Sequence, residues 1–453
     1  MNDSQQASCS RKPASTNLSE YNIASNPPML NPEEAEEDRK HMQKIIAALR
    51  YYQKYCYARV NKTESYLNSL PKRHQDMLAK YRNHLRVIRD CIDENQKVIR
   101  KMLRDNVDFI DMDGSEQIYV AQHDIDGHAT KIRRQDMEHA TEQADVEPFK
   151  ILKAQSTLKL IARDWSASCA EEREQSYKPI IDAIEEFFKP SEFALNEVKI
   201  LVPGAGLGRL TYELAYRGYE CEGNEVSYFM LIASYFVLNL CTEENKYTLY
   251  PWVHQFVNNL RMADQVMPIR FPDICPAKNP PKGNLMMAAG DFLEVYKTPN
   301  SYDCVATCFF IDCANNIVDF IETIFRILKP GGIWVNLGPL LYHFSDIQGE
   351  NSIEPTFENL EVIIKMVGFE FLRSQTGVRT KYAQNPQSML KSEYESLFWI
   401  CRKPENAVDR IDDSSHCDDE YDELIDGGVG SSSNSSRYED NYSNGYRNAY
   451  QHQ

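Results

Sequence analysis

The sequence predicts an α/β fold: a seven-stranded doubly wound sheet preceded by a helical region. Three observations point to it. From Lys150 to Arg402, apolar runs of strand length alternate with helical patterns. The first such run, Val198 to Val202, empties into a glycine-rich turn, as parallel strands do where they meet a ligand. The last two runs are joined without a helical pattern between them, which makes them an antiparallel hairpin.

Residues 1–32 are rich in Ser, Asn and Pro and bury too little apolar surface to offset the entropy of ordering, so they are expected to be disordered. Residues 33–149 form a helical region and linker. Within it Leu78, Leu85, Ile92 and Ile99 recur every seven residues, with Tyr81, Ile88, Asn95 and Met102 three positions later, a coiled-coil-like seam. The seam fits either a long helical hairpin packed on the main domain or a contact between two chains. The polar stretch from Asp111 to Glu147 reads as the linker. Residues 150–403 form the main domain, with strands at Val198–Val202 and then near Glu220–Glu225, Leu285–Ala289, Tyr302–Phe310, Ile333–Leu337, Phe369–Gln375 and Ser396–Arg402. Residues 404–453 add Asp, Gly and isolated Tyr, and are expected to form a disordered, solvated acidic tail.

A net charge of -17 argues against nucleic-acid or anionic-membrane partners, which reward clustered Lys and Arg. A small polar substrate is the simpler expectation. No apolar run has the length of a bilayer span, and Met1 to Ser10 has no apolar signal core. The twelve cysteines show no framework spacing and read as reduced thiols of an intracellular protein. Cys304, Cys308 and Cys313 lack a CxxC pair and alternate along a strand, so no metal site is expected of them.

The chemistry gathers behind the first strand. Gly204, Gly206 and Gly208 allow a sharp turn and close approach of backbone to ligand. A dinucleotide fingerprint would need glycine where Arg209 stands, and a phosphate loop would need a Lys-Ser/Thr pair that is absent. Glu225 ends the second strand, where a carboxylate can accept both hydroxyls of an adenosine ribose. Asp291 and Phe292 end the third, the acid placed for an adenine amino group and the ring as an apolar wall. A Pro330-Gly331-Gly332 turn precedes the fifth strand. Loop, acid, Asp-Phe and turn in this order resemble a class I methyltransferase.

Four further runs narrow the resemblance: ILVPGAGLGRL from Ile200 to Leu210, LYPWVHQF from Leu249 to Phe256, TCFFID from Thr307 to Asp312, and LGPLLYHF from Leu337 to Phe344. Over about Lys150 to Pro404 the chain resembles the carnosine N-methyltransferase family. The resemblance implies methyl transfer from S-adenosyl-L-methionine to an imidazole nitrogen of the histidine in carnosine (β-alanyl-histidine), giving anserine, by homodimers in cytosol and nucleus. Other histidine-containing dipeptides, or histidine in a protein, would suit the same chemistry. A non-catalytic cofactor-binding interaction protein is the reading from another class.

Neutral imidazole, with a pKa of about 6.5, is already a nucleophile near pH 7, so catalysis is chiefly orientation. Asp312, after the fourth strand, is expected to accept the ring N–H and fix its tautomer. By the resemblance, His343 is a substrate or proton-relay residue, and Tyr382 and Tyr394 line the substrate pocket. Arg163 matches an arginine that clamps the methionine carboxylate. Cys308 and Asn316 touch cofactor by the same comparison. Leu160 stands where the family pattern has glutamine, and Ser392 where it has tyrosine. The first departure puts one cofactor contact in doubt, the second the preference for carnosine.

Overall fold

The computed structural model describes residues 32–105, 148–347 and 349–407. The expected tail up to residue 31, the linker 111–147 and the acidic tail beyond 407 lie outside the described residues.

In chain order the helices are α1 (Pro32–Ser69), α2 (Lys72–Met77), α3 (Ala79–Asp105), α4 (Pro148–Trp165) and α5 (Ala170–Phe187), then α6 (Arg209–Arg217), α7 (Tyr228–Tyr235), α8 (Met262–Gln265), α9 (Phe292–Val295), α10 (Ile317–Ile327) and α11 (Phe357–Val367). The strands are β1 (Lys199–Pro203), β2 (Glu220–Glu225), β3 (Tyr247–Leu249), β4 (Ile269–Phe271), β5 (Leu285–Ala289), β6 (Tyr302–Cys308), β7 (Leu328–Gly338), β8 (Glu370–Thr380) and β9 (Tyr394–Arg402).

Seven strands form one sheet in the order β5-β2-β1-β6-β7-β9-β8. The pairs from β5 through β7 are parallel, and β9 runs antiparallel to both β7 and β8. This is the expected doubly wound sheet with a terminal antiparallel hairpin. The order reverses between β1 and β6, so the carboxyl ends of these two strands open a crevice where such folds bind ligands. Alternation along β1 splits the interior in two: Ile200 and Val202 enter one apolar cluster, Leu201 the other. One prediction fell short, since β3 and β4 pair as a separate two-stranded ribbon. At three residues each, they carry too little periodicity to read from sequence. Another boundary moved: the Pro330-Gly331-Gly332 turn lies inside β7, where the ladder with β6 slips register between Tyr302 and Cys304.

The seam of the helical region is filled within the chain. Leu85, Ile88, Ile92, Asn95, Ile99 and Met102 are buried, whereas Tyr81 is half-buried. Leu78 falls in the break between α2 and α3 and is 37% exposed, so the heptad does not begin there. Asn95 docks the hairpin on the main domain: its Nδ2 donates to the Tyr250 carbonyl at 3.0 Å, and its Oδ1 accepts the Tyr250 N–H at 2.7 Å. Nδ2 also donates to the Tyr52 hydroxyl at 2.9 Å, which in turn lies 2.7 Å from His254 Nε2. Burial chiefly, then the charge of Lys159, brings His254 down to about 3, so the ring is neutral in the physiological range. Among the described residues no helix is long and apolar enough to cross a membrane.

Asn95→Ala removes the side-chain partner of both the N–H and the C=O of half-buried Tyr250, which costs up to about 1–3 kcal/mol for each group left unpaired. The expected result is a urea midpoint lowered by that order with the m-value unchanged; an unaltered midpoint would show that water replaces the amide.

Candidate active site

The glycine turn after β1 is left-handed at all three of its glycines, with φ of +63° at Gly204, +57° at Gly206 and +74° at Gly208. Side-chain-bearing residues disfavour this region, which explains the residue type. A Cβ on Gly204 would stand 2.4 Å from Cδ2 of Phe310, whereas one on Gly206 would meet nothing within 4 Å. Gly206 thus borders open space. Trp165, at the end of α4, fixes the turn by donating its indole N–H to the Leu207 carbonyl at 3.1 Å.

Glu225 caps the same turn from β2. Its Oε2 accepts the Gly206 N–H at 2.9 Å, and its Oε1 accepts Val226 N–H at 3.0 Å and Ser227 N–H at 2.8 Å. Three of about four acceptor positions of the carboxylate are occupied, so the side chain has room for one ribose hydroxyl as it stands rather than the two expected. Burial raises its pKa, and the backbone N–H groups of Ser227, Gly206 and Val226 counter that rise.

Asp291 is the N-cap of α9, accepting the Leu293 N–H at 2.8 Å. The expected Phe292 wall needs correcting. Its ring is 2% exposed and packs edge-on against Phe310 and Phe320, so it belongs to the core; only its backbone borders the β5 end. The small moment of one Phe after one Asp gave no means of telling a core ring from a pocket ring.

Arg163 is buried on the last turn of α4. Nη1 donates to Asp164 Oδ1 at 2.8 Å and to the Tyr177 hydroxyl at 2.5 Å, and Nη2 to Ser176 Oγ at 3.3 Å. The Tyr177 and Tyr382 rings flank the guanidinium at 4.9 and 4.8 Å. Burial opposes the charge, but Tyr177 and Asp164 outweigh it and hold the group firmly protonated. Nε makes no hydrogen bond. Leu160, one turn earlier, is buried in the apolar cluster and offers no polar contact. Cys308, at the end of β6, is pushed up to about 12, chiefly by burial, so it stays a thiol. Asn316 is the N-cap of α10, its Oδ1 accepting Val318 N–H at 3.1 Å.

Asp312 sits in a short 3-10 turn, Ile311–Cys313, beyond β6 and is 1% exposed. Its Oδ2 accepts the Leu341 N–H at 2.8 Å, and its carbonyl accepts the His343 N–H at 3.0 Å. These two bonds bring the segment after β7 against the turn after β6. Donor atoms of Asp312, Cys313 and His343 consequently lie within 4.8 Å of one another. Burial raises Asp312 above the ordinary carboxylate range, opposed by His343 and the Leu341 N–H. Three residues before Asp312 an aromatic wall begins, and it faces Arg163. Phe309, at φ +53°, places its ring 4.9 Å from Tyr382 and 5.9 Å from Tyr394. Ser392 exchanges two backbone bonds with the Gln384 side chain, at 3.1 and 2.9 Å, and adds no ring to this wall.

The structure therefore gathers two groups: Arg163 with Cys308 and Tyr382, and Asp312 with His343. Sequence reasoning missed Asp164, Tyr177 and Phe309. An acid directly following Arg163 within an apolar helix was the one available signal, since Tyr177 and Phe309 look like ordinary core residues.

A family model described as carnosine N-methyltransferase matches residues 140–405. The sequence is 64% identical over 373 residues to "Carnosine N-methyltransferase unmet" of Drosophila melanogaster, covering 82% of this chain and 81% of that one. It is 45% identical over 381 residues to the carnosine N-methyltransferase of Mus musculus, covering 84% and 90%. With that of Schizosaccharomyces pombe it shares 36% over 387 residues, covering 81% and 96%.

Gly206→Ala meets open space and costs only the left-handed backbone, about 1–2 kcal/mol. Gly204→Ala adds a collision with Phe310, for a sum of about 2–5 kcal/mol. Chemical unfolding of both variants checks the difference; equal losses would mean that the ring steps aside freely.

Proposed function

This chain belongs to the carnosine N-methyltransferase family, and from that premise we propose that it transfers the methyl group of S-adenosyl-L-methionine to an imidazole nitrogen of the histidine in carnosine, giving anserine. The observation that carries the reading is the juxtaposition of buried Asp312 with His343 at the carboxyl edge of the sheet, in the segment whose Phe310 ring packs against the glycine turn at Gly204.

The chain's residues fit the cofactor. Open space beyond Gly206, the remaining acceptor position of Glu225 and the Nε of Arg163, which makes no hydrogen bond and has Glu172 only at ion-pair distance, are features that internal packing leaves open. Arg163 would hold the amino-acid carboxylate, Glu225 a ribose hydroxyl and Asp291 the adenine amino group. Leu160, Cys308, Asn316 and the backbone of Phe292 would border them. When bound, S-adenosylmethionine supplies a methyl made electrophilic by its sulfonium.

The acceptor side is a problem of orientation and of one proton. Asp312 accepts the N–H of the neutral ring, which leaves the lone pair on the other nitrogen and fixes the tautomer. Once methylated, the ring is a cation. Asp312 stabilises that charge at close range, and its raised pKa makes it a better acceptor for the departing proton than an exposed carboxylate. His343 lies beside it to pass the proton outward. The rings of Phe309, Tyr382 and Tyr394 offer π faces to the same cation. The reading extends to a homodimer in cytosol and nucleus; the described cysteines are all free thiols, as a reducing compartment would keep them.

Purified protein incubated with labelled S-adenosylmethionine and carnosine should yield methylcarnosine by mass spectrometry. Asp312→Asn should lower kcat by about 100-fold or more while cofactor binding persists. Carnosine left unmodified by protein that binds the cofactor would sink the substrate assignment and move the search to histidine in other peptides and proteins.

The acid side of the pH profile carries two protons. Below about 6.5 the acceptor imidazole becomes a cation without a lone pair. Asp312, raised by burial, also takes up its proton earlier on acidification than a surface Asp. Log kcat/KM should therefore fall toward acid with a slope steeper than one, and Asp312→Asn should reduce it to one; a slope of one in the wild type would remove Asp312 from the titrating pair.

A further inference from the structure

A further buried acid, Glu172, has no part in the chemistry above. It lies in the first turn of α5 with its side chain 6% exposed. Its Oε2 accepts the Ala383 N–H at 2.8 Å and its Oε1 the Gln384 N–H at 3.3 Å. The same Oε2 lies 3.8 Å from Arg163 Nε, the atom that makes no hydrogen bond. One carboxylate thus touches the arginine assigned to the cofactor and the backbone just after Tyr382.

That backbone needs an anchor. Ala383 stands at φ +46°, in the left-handed region that residues with a Cβ adopt only when their surroundings impose it. Helix α5 imposes it from several points. Lys381 donates its N–H to Gln175 Oε1 at 3.1 Å and its ammonium to Glu171 Oε1 at 2.6 Å. Tyr382 is thereby bracketed by three backbone N–H groups fixed on α5, those of Lys381, Ala383 and Gln384. Gln384 then ties the far end of the segment through Ser392, two residues before Tyr394. The Tyr382 ring emerges 4.8 Å from the Arg163 guanidinium and 4.9 Å from Phe309. Burial raises the Glu172 carboxyl while Arg163 and the two N–H groups lower it, as expected of an acid held by both partners.

We propose that Glu172 is a positioning residue that sets the acceptor loop, 381–393, by reference to the cofactor arginine, so that Tyr382 is presented correctly only when Arg163 is in place. The inference rests on the reading that Arg163 faces the cofactor and Tyr382 the acceptor. A ligand that fixes the guanidinium then also steadies Ala383 and Gln384, and the coupling acts equally in both directions.

The test uses the full chain and Glu172→Gln, which keeps the side-chain size but replaces one acceptor oxygen by an NH2 that would face a donor. Glu174→Ala is the control, an exposed acid of the same helix with no bond to 381–393 among the described residues. In the wild type, S-adenosylmethionine without acceptor should slow hydrogen exchange in the peptide spanning 381–393. In Glu172→Gln the same peptide should exchange about tenfold faster, cofactor should no longer slow it, and the KM for carnosine should rise about tenfold with kcat within about threefold. Glu174→Ala should behave as wild type in each respect. Unchanged exchange and KM in Glu172→Gln would overturn the proposal, and so would acceleration spread over the whole sheet, which is the mark of a merely structural acid. Because the exchange measurement needs no acceptor, a wild type that leaves carnosine unmethylated would refute the substrate reading without deciding this one.

Discussion

The buried charge of Arg163 is the constraint around which the site is arranged. A guanidinium withdrawn from water without partners costs several kcal/mol, and the chain meets that cost with groups from separate elements. Asp164 comes from its own helix, and Tyr177 and Ser176 from α5. The Tyr382 ring comes from the loop after β8 and the Phe309 ring from the end of β6. Each must be where it is for the charge to be tolerated, so satisfying one cation positions four parts of the chain. Tyr177 is itself held by Asp164 at 2.8 Å, which closes the arrangement into a ring of polar contacts inside an apolar cluster.

A second set of bonds aligns that cluster with the glycine turn. Arg209, the first residue of α6, donates to the Asp164 carbonyl at 2.8 Å and to Asp273 at 2.7 Å. Arg173 of α5 reaches the carbonyls of Arg163 and Ser166, both at 2.7 Å, and the other oxygen of Asp273. The residue that disqualified a dinucleotide fingerprint in the sequence therefore has a positive role: it bolts the end of α4 to the start of the helix behind the turn. With Trp165 on Leu207 and Glu225 on Gly206, the turn is held from both sides of the crevice.

The sheet was legible because four of its five parallel strands contain apolar runs of ordinary length, and because the ends of β2, itself polar, and β5 coincide with residues whose chemistry marks an edge. The ends of β6 and β7 were less so. Backbone pairing carries β7 back through its own Pro-Gly-Gly turn, a slip in register that composition does not announce. In the site, acids and glycines could be placed from sequence because their types are unusual at strand ends. Phe292 could not, since an aromatic ring has the same identity in a core and in a pocket and only packing tells them apart. The partners of Arg163 escaped for a related reason: Asp164 and Tyr177 acquire meaning only when α4 and α5 are set side by side.

The helical hairpin invites description as an appendage, because a long polar segment separates it in sequence from residue 150. Its packing argues otherwise. Met42, Leu49, Leu85, Ile92 and Ile99 belong to the same apolar cluster as Leu158 of α4 and Ile200 and Val202 of β1. Apolar area shared in this way is lost to both parts if either leaves. The polar links run the same way, from Asp38 to the Tyr228 hydroxyl beside the carboxyl end of β2 and from Tyr52 and Asn95 to the segment holding His254. Helix α4 packs on α1 of the hairpin, shares its apolar cluster with β1 and carries Arg163 in its last turn, so the hairpin forms the outer support of the helix that carries the buried charge.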